Sequence, residues 1–340
     1  MATAGLPNYK LSSNESPYPV LEPLVQALAE SARRANRYPP SGRALAEQLA
    51  QAHSLAPEQV AVAGGSLELL RDLLTAYAGF DREVVLGWRS YEAYPILVQS
   101  LGARGVRVPL LDHRVDLPAV LAAVSTNTRV ILLANPNNPT GTTVEKGDLE
   151  YFVHQLPQDC LLVLDEAYCE YSSSDLAAAG IGLAEKFANV AVLRTFSKAY
   201  ALAGMRVGWC VADPEIVENI SRVALPFTLT ATAQAGALAA LELEPQLMAQ
   251  VGKTVAERER VQAALDRAGY TVPRSQANFI WLPLGAQSLG FAGRCGSAGI
   301  SIRCFADEGV RVTIGTPAEN DRFLEIASSD QTRKFGQRVV

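Results

Sequence analysis

The chain has 340 residues, of which 49% are hydrophobic and 19% are charged, so it can bury a sizeable core and has the composition of a globular protein. A net charge of −5 offers no basic surface for nucleic acid or anionic membranes. The longest apolar runs have only the length of a strand, which excludes a membrane-spanning segment, and the first ten residues lack the pattern of a secretory signal. Five cysteines without a C-x-x-C pair predict reduced thiols in a cytoplasmic protein.

Short apolar runs alternate with segments of helical periodicity between residues 59 and 213. The runs predict strands at 59–64, 83–88, 104–110, 128–135, 160–167, 190–196 and 207–213, with helices at 66–79, 93–102 and 116–125. The segments "TRVILLAN" and "CLLVLDEA" are almost continuously apolar, which is typical of strands buried on both faces. The alternation therefore predicts an α/β fold with a mostly parallel sheet flanked by helices.

The pattern changes after Pro226. Helical periodicity at 234–242 and 255–269 is followed by strand patterns at 277–284, 299–305 and 309–315. We therefore predict a large domain of residues 30–228 and a smaller α+β domain that combines residues 1–29 with residues 229–340.

Several polar residues lie at the predicted carboxyl ends of the strands, where ligands of such sheets usually bind: Ser66, Asn138, Asp165, Tyr168 and Lys198. Arg206 follows Lys198 eight residues later. A lysine, an acid, a tyrosine and an arginine meet the needs of pyridoxal phosphate. Its aldehyde needs an amine, its pyridine nitrogen an anion, its ring oxygen a donor, and its phosphate a cation with hydroxyls. The sequence therefore predicts a site for this cofactor.

Two of these segments have alternative interpretations. "AGGSLELL" could bind an anion at a helix amino terminus, but Ser66 as an ordinary N-cap is the favoured interpretation, supported by Glu68 in the first turn. "NPNNPTG" could be a rigid turn or could present the Asn138 amide to the site, and both remain open. The motifs of phosphate-loop ATPases, nicotinamide enzymes and α/β-hydrolases are absent from the sequence, and its three histidines are far apart, which argues against a metal site.

At these residues the chain resembles the fold-type-I aminotransferases, in the histidinol-phosphate aminotransferase-like branch. The resemblance runs nearly from end to end, through "LSSNESPYP", "NRYP", "NPNNPTGT", "VLDEAY", "RTFSKAYALAGMRVG", "QANFIWLPL" and "GVRVTIGTPAEND". Within this branch "WRSYEAYPI" and "VALPF" are most similar to actinobacterial aromatic amino-acid (phenylalanine) aminotransferases. The resemblance implies a homodimer that moves the amino group of phenylalanine or tyrosine to 2-oxoglutarate.

The resemblance also implies a role for each residue of the catalytic site. Lys198 would bind the cofactor aldehyde and then move protons as general base and acid. Asp165 would pair with the pyridine nitrogen and keep it protonated. Tyr168 and Asn138 would hydrogen-bond the ring oxygen, and Tyr91 would stack on the ring.

A second group implied by the resemblance would hold the cofactor phosphate: Gly65, Ser66, Leu67, Thr195, Ser197, Arg206, and Tyr38 from the neighbouring subunit. The family often carries an acid where this chain has Leu67, so the edge of the pocket is less polar here.

A third group would bind the substrate. Arg311 would form a bidentate pair with its carboxylate, and Asn14, Tyr18 and Arg303 would line the entrance, beside Asn138. Phe227 stands where several histidinol-phosphate enzymes carry a tyrosine, which together with Trp88 and Leu67 favours an aromatic substrate.

Three alternatives remain open at this point. Arg303 and Arg311 could both serve the phosphate of histidinol phosphate, which would place the enzyme in histidine biosynthesis. A decarboxylase on the same scaffold would share most of these motifs. A non-catalytic relative that only binds a partner is disfavoured, because the whole cofactor set is present.

Overall fold

The computed structural model describes residues 8–177 and 179–329. Its strands are β1 (Tyr9–Leu11), β2 (Val60–Ala63), β3 (Glu83–Trp88), β4 (Arg104–Pro109), β5 (Thr128–Ala134), β6 (Leu161–Asp165), β7 (Val190–Thr195), β8 (Gly208–Val211), β9 (Phe279–Leu282), β10 (Ile300–Phe305) and β11 (Gly309–Thr313).

The helices in the same part of the chain are α1 (Glu22–Ala32), α2 (Arg43–Ala52), α3 (Ser66–Tyr77), α4 (Ala93–Ser100), α5 (Leu117–Ala122), α6 (Lys146–His154), α7 (Ser174–Ala177), α8 (Ala179–Lys186), α9 (Pro214–Val223), α10 (Ala231–Glu242), α11 (Glu244–Arg267), α12 (Ser288–Ser297) and α13 (Pro317–Ser329). None of these helices is both long enough and apolar enough to cross a bilayer.

Seven strands form the large sheet, in the order β2-β8-β7-β6-β5-β3-β4. Strands β3 to β7 pair in parallel, whereas β8 runs antiparallel to both of its neighbours. The mostly parallel sheet expected from the alternating pattern is therefore confirmed. Because parallel strands end at the same edge, the residues that follow β5, β6 and β7 lie side by side.

Each face of the large sheet carries its own hydrophobic core. In β6, Leu162 and Leu164 belong to the core on one face, and Leu161 and Val163 belong to the core on the other. This division follows from the alternation of side chains along a strand, and it explains why the strand is apolar throughout. Helices α3, α4 and α9 cover one face, and α2, α6 and α8 are among those that cover the other.

A second sheet of four strands has the order β1-β10-β11-β9. The amino-terminal strand β1 pairs in parallel with β10, although almost 300 residues separate them along the chain. The long helix α11 joins the two halves of the molecule, because Leu247 and Val251 pack in a core of the large sheet while Val261 and Leu265 pack beneath the small one.

Two helices near the predicted domain boundaries pack against the large sheet. Leu24 of α1 lies in the same core as Ala233, Ala237 and Ala240 of α10. The alanines allow these two helices to approach closely. Both helices therefore pack in the core of the large sheet. The division into residues 30–228 on one side and 1–29 with 229–340 on the other stays a prediction.

Candidate active site

A cleft of about 500 Å³ opens at the carboxyl ends of β5, β6 and β7, between the large sheet and strands β10 and β11. Most of the residues singled out in the sequence line it: Asn14, Ser66, Leu67, Tyr91, Asn138, Asp165, Tyr168, Thr195, Ser197, Lys198, Arg206, Arg303 and Arg311. They come from segments spread over 300 residues of the chain. The fold therefore brings the candidate catalytic, phosphate-binding and carboxylate-binding side chains to one place.

Asp165 is the last residue of β6 and is buried at the floor of the cleft. Burial raises the pKa of its carboxyl, and hydrogen bonds from the Tyr94 hydroxyl and the Ala167 amide oppose this rise. The Tyr94 oxygen lies 2.6 Å from Asp165 Oδ2, and the Ala167 nitrogen lies 3.1 Å from Oδ1. These two donors stabilise the carboxylate form, which is the form that could pair with a positively charged ring nitrogen.

The Tyr168 hydroxyl is held by residues of the amino-terminal segment and the small sheet. Asn14 Nδ2 donates to Tyr168 Oη over 3.0 Å, and Thr313 Oγ1 donates to Asn14 Oδ1 over 3.0 Å. Burial raises the pKa of Tyr168 to about 12, so the phenol keeps its proton at neutral pH. Because its oxygen already accepts a hydrogen bond from Asn14, its own proton is available to donate into the cleft.

Lys198 follows β7 and projects into the cleft. Its amine donates to the Ser13 carbonyl over 3.4 Å, a long hydrogen bond. Burial lowers the pKa of this amine to about 8, and the positive charge of Arg311 acts in the same direction. A larger fraction of Lys198 is therefore neutral near physiological pH than for an exposed lysine, and the neutral amine is the nucleophilic form.

Hydroxyl groups and an arginine meet at the amino terminus of α3. Arg206 Nη1 donates to Ser197 Oγ over 3.2 Å, and Thr195 Oγ1 donates to the same oxygen over 2.9 Å. A side chain at Gly65, whose φ is +106°, would lie 2.7 Å from Arg206 Nη2. The positive φ favours glycine at this position, and the absence of a side chain leaves room for the Arg206 guanidinium.

The Ser66 N-cap favoured by sequence is wrong. Gly65 is the N-cap of α3 and Ser66 is the first helical residue, with no side-chain cap. Glu68 accepts a hydrogen bond from the Gly64 amide over 2.9 Å instead. The first amides of α3 therefore remain oriented toward the cleft, as in an anion-binding helix terminus.

The "NPNNPTG" segment combines the two interpretations that the sequence left open. Asn135 exchanges hydrogen bonds with the backbone of Val144, and Asn137 Nδ2 donates to Arg89 O and Thr140 Oγ1, so these amides hold a rigid turn. Asn138 instead faces the cleft, where its Oδ1 accepts a hydrogen bond of 2.6 Å from Arg311. Its Nδ2 is thereby left to donate toward a ligand.

Arg311 of β11 is a buried guanidinium on the side of the cleft opposite the large sheet. Its Nη1 reaches Asn138 and its Nη2 donates to the Ser12 carbonyl over 2.6 Å. Its Nε is buried with no hydrogen-bond partner among the described residues. Burial lowers the pKa of this guanidinium, and the only acceptors it has in the described part of the chain are neutral. A buried cation in this state provides a binding site for an anion.

Three predicted residues do not line this cleft in their own chain: Tyr38, Phe227 and Tyr18. Tyr38 is 81% exposed and stacks on Phe227 with ring centroids 4.5 Å apart. Tyr18 lies near Lys253, whose nitrogen is 6.0 Å from its ring centre. Arg303 does lie at the cleft mouth, where it pairs with Glu92.

Sequence reasoning did not identify Tyr94, Glu92 or the backbone carbonyls of Ser12 and Ser13. Tyr94 follows Tyr91 by three residues, a spacing that could have drawn attention to the pair, and the two rings make an edge contact at 5.5 Å. Nothing in the sequence signals that Glu92 meets Arg303, that the Ser13 carbonyl reaches Lys198 or that the Ser12 carbonyl reaches Arg311, because each contact joins segments that lie far apart in the chain.

The cleft fits pyridoxal phosphate. At one end the Arg206 guanidinium, the Ser197 and Thr195 hydroxyls and the amino terminus of α3 match a phosphate, and the glycine turn leaves room for it. The buried carboxylate of Asp165 matches the pyridine nitrogen, and the Tyr168 phenol and Asn138 amide match the ring oxygen. Lys198 supplies the amine.

Comparison with known proteins agrees with this fit. Residues 8–326 match the family model described as aminotransferase class I and II. The chain is 48% identical to an aromatic amino acid aminotransferase of Rhodococcus jostii, over 97% of this chain and 92% of that protein. It is also 48% identical to an aromatic amino acid aminotransferase of Thermobifida fusca, over 94% of this chain and 89% of that protein.

A solved structure of histidinol-phosphate aminotransferase from Sinorhizobium meliloti, in complex with pyridoxal-5′-phosphate, superposes with a TM-score of 0.88 and 28% identity. The alignment covers 95% of this chain and 91% of that one. The architecture, the residues of the cleft and the extent of these matches lead to one conclusion: the chain belongs to the class I and II aminotransferases and is an enzyme that uses pyridoxal phosphate.

Proposed function

We propose that this enzyme transfers the amino group of an aromatic L-amino acid, phenylalanine or tyrosine, to 2-oxoglutarate. The observation that carries the proposal is Arg311, a buried guanidinium that has an unpartnered Nε–H and neutral acceptors in the described part of the chain. A carboxylate accepts two parallel hydrogen bonds from a guanidinium, and both an α-amino acid and a 2-oxo acid carry one. Arg311 therefore suits both substrates of a transaminase.

The aromatic preference rests on the cleft wall opposite Arg311 and on the relatives. Leu67, Tyr91, Ala93 and Ile96 contribute apolar surface to the cleft, which suits an aromatic side chain. The two relatives with 48% identity are named aromatic amino acid aminotransferases. The runner-up substrate is histidinol phosphate, favoured by the second arginine at the mouth, Arg303, and by the name of the structural neighbour at 28% identity.

Each side chain of the cleft has a distinct role in the proposed reaction. When bound, pyridoxal phosphate supplies an aldehyde that accepts the amino group and a conjugated ring that withdraws electrons from the reacting carbon. Asp165 keeps the ring nitrogen protonated, and Tyr168 and Asn138 hold the ring oxygen. Lys198 takes and returns the proton of the reacting carbon. Arg206 anchors the phosphate, and Arg311 fixes the substrate carboxylate, so that the reacting carbon stays within reach of Lys198.

The proposed assembly is a homodimer in the cytoplasm. Tyr38, Leu225 and Phe227 are exposed large hydrophobic residues, and the stacked pair of Tyr38 and Phe227 does not line the cleft of its own chain. Such a surface is typical of a subunit interface. Tyr38 would then reach the cofactor phosphate of the neighbouring subunit. The cytoplasmic location is supported by the five cysteines, none of which forms a disulfide.

The role of Arg311 is tested with Arg311→Ala and the charge-conserving Arg311→Lys. Arg311→Ala removes a charged, bidentate contact that contributes about 1.5–3 kcal/mol, so KM for phenylalanine and for 2-oxoglutarate should rise by about tenfold or more. Arg311→Lys should raise both KM values less. The exposed Arg322→Ala is the matched control. Steady-state kinetics in which both KM values stay unchanged in Arg311→Ala would show that the carboxylate binds elsewhere.

A further inference from the structure

An ion pair between Glu92 and Arg303 lies at the mouth of the cleft. Arg303 Nη2 is 2.8 Å and 3.0 Å from the two carboxylate oxygens of Glu92, and its Nε is 3.2 Å from one of them. Glu92 precedes α4 on the large sheet side, whereas Arg303 belongs to β10 of the small sheet. Both side chains line the cleft.

Arg303 also stands next to the proposed carboxylate site. It lies directly opposite Arg311 in the antiparallel pair of β10 and β11, so the two side chains project from the same face of the sheet. Two guanidinium groups side by side would suit a phosphate dianion, which has three acceptor oxygens and twice the charge of a carboxylate. A single guanidinium is sufficient for the carboxylate of an amino acid.

We propose that Glu92 is a specificity-determining residue that neutralises Arg303 and so excludes substrates whose end group is a phosphate. The inference rests on the proposed function, because it explains how a cleft with two arginines can favour a carboxylate over a phosphate monoester. Glu92 acts in two ways: it occupies three donor directions of Arg303, and its negative charge repels a dianion bound at Arg311.

The size of the effect follows from Coulomb's law. For a dianion about 5–8 Å from Glu92 in a medium close to water, removal of the carboxylate charge should strengthen binding by about two- to fivefold after screening by salt. The monoanionic carboxylate of phenylalanine carries half that charge. Its kcat/KM should change by less than about threefold, so the ratio of the two substrates shifts.

The test compares Glu92→Gln with Glu308→Gln. Glu308 forms the neighbouring ion pair with Arg89, which also joins the two halves of the molecule, and neither partner lines the cleft. The two glutamate side chains are equally exposed, at 39%. The control therefore removes the same charge and the same kind of link between the two sheets, but from a carboxylate that pairs with Arg89 and does not line the cleft.

Two readouts are needed for wild type and both variants. The first is the ratio of kcat/KM for histidinol phosphate to that for phenylalanine, with 2-oxoglutarate as acceptor. The second is the inhibition constant of propyl phosphate, a phosphate monoester without an amino group, against phenylalanine. We expect Glu92→Gln to raise the ratio and to lower the inhibition constant by about two- to fivefold, and Glu308→Gln to leave both within about 1.5-fold.

An inhibition constant that is unchanged in Glu92→Gln, or lowered equally in Glu308→Gln, would overturn the inference. A wild-type enzyme that turns over histidinol phosphate but not phenylalanine would instead overturn the proposed aromatic substrate. In that case the inhibition constants of propyl phosphate for the two variants, measured against histidinol phosphate, still decide the role of Glu92.

Discussion

At the scale of single residues, the cleft depends on groups held in the protonation state that their chemistry requires. Lys198 has a lowered pKa, while Tyr168 keeps its proton because burial raises its pKa to about 12. Asp165 is different, since burial raises the pKa of its carboxyl and two hydrogen bonds oppose the rise. Such perturbed groups in one cleft are typical of an active site.

The pKa of Lys198 predicts how the apoenzyme captures its cofactor. Only the neutral amine attacks an aldehyde, so a pKa lowered from 10.5 to about 8 makes the amine reactive at a lower pH than an ordinary lysine. We expect the rate constant for recombination with pyridoxal phosphate to rise with pH through a midpoint near 8 and then to level off. Stopped-flow absorbance measures this rate, and a midpoint near 10.5 would mean that the amine is not desolvated in solution.

Tyr94 is predicted to support the anionic form of Asp165. Its fully buried hydroxyl donates the 2.6 Å hydrogen bond to Oδ2, and a bond to a charged group contributes about 1.5–3 kcal/mol. Tyr94→Phe keeps the ring and should weaken cofactor binding and lower kcat by about tenfold.

The control for this prediction is Tyr151→Phe, because Tyr151 is 70% exposed and lies on α6, outside the cleft. Equilibrium dialysis gives the cofactor affinity, and steady-state kinetics give kcat. If Tyr94→Phe and Tyr151→Phe behave alike in both measurements, the hydrogen bond to Asp165 has no functional role.

At the scale of the elements, the central strands β6 and β7 were predictable because burial on both faces makes them apolar along most of their length, whereas the edge strand β4 is largely exposed. The sequence located β2 to β8 to within a few residues. The candidate residue Asp165 ends β6, and Asn138 and Lys198 lie a few residues after β5 and β7. The direction of β8 was not predictable. It pairs antiparallel with β7, and a strand of four buried residues, Gly208–Val211, has the same pattern in either direction.

Helices that pack through few large residues were also missed. In α1 a single residue, Leu24, is fully buried, and α12 contains three glycines, which lower its intrinsic helical propensity. The cap of α3 was misjudged for a related reason. Serine is a common N-cap, but residue 65 has a φ of +106°, which favours glycine, and Gly65 itself is the N-cap, so the backbone geometry of the turn overrides the preference for serine.

At the scale of the whole molecule, the cleft exists because two sheets face each other. The motifs of the sequence identified the groups around the cofactor, but the contacts from the small sheet depend on packing between segments about 300 residues apart. Thr313 holds Asn14, which donates to Tyr168, and the Ser12 carbonyl accepts a hydrogen bond from Arg311. The local sequence pattern does not show which distant residues form such contacts. The family resemblance could indicate the residues of the site, but not the residues that hold them in place.

The proposed dimer is tested through the exposed surface of Tyr38, Leu225 and Phe227. A charge introduced by Phe227→Asp would have to be desolvated in an apolar interface, so we expect it to raise the dimer dissociation constant by about a hundredfold. Phe80→Asp is the control, because Phe80 is 85% exposed and lies in the turn before β3. Sedimentation equilibrium measures the assembly, and a wild-type enzyme that is monomeric and fully active would exclude the dimeric site.

The measurement that tests the account most directly is a side-by-side determination of kcat/KM for phenylalanine and for histidinol phosphate, each with 2-oxoglutarate as amino acceptor. We expect a clear preference for phenylalanine, because Arg311 is a buried guanidinium with neutral acceptors in the described part of the chain, Glu92 neutralises Arg303, and the opposite wall of the cleft is apolar. A clear preference for histidinol phosphate would contradict it and would assign both arginines to the recognition of phosphate.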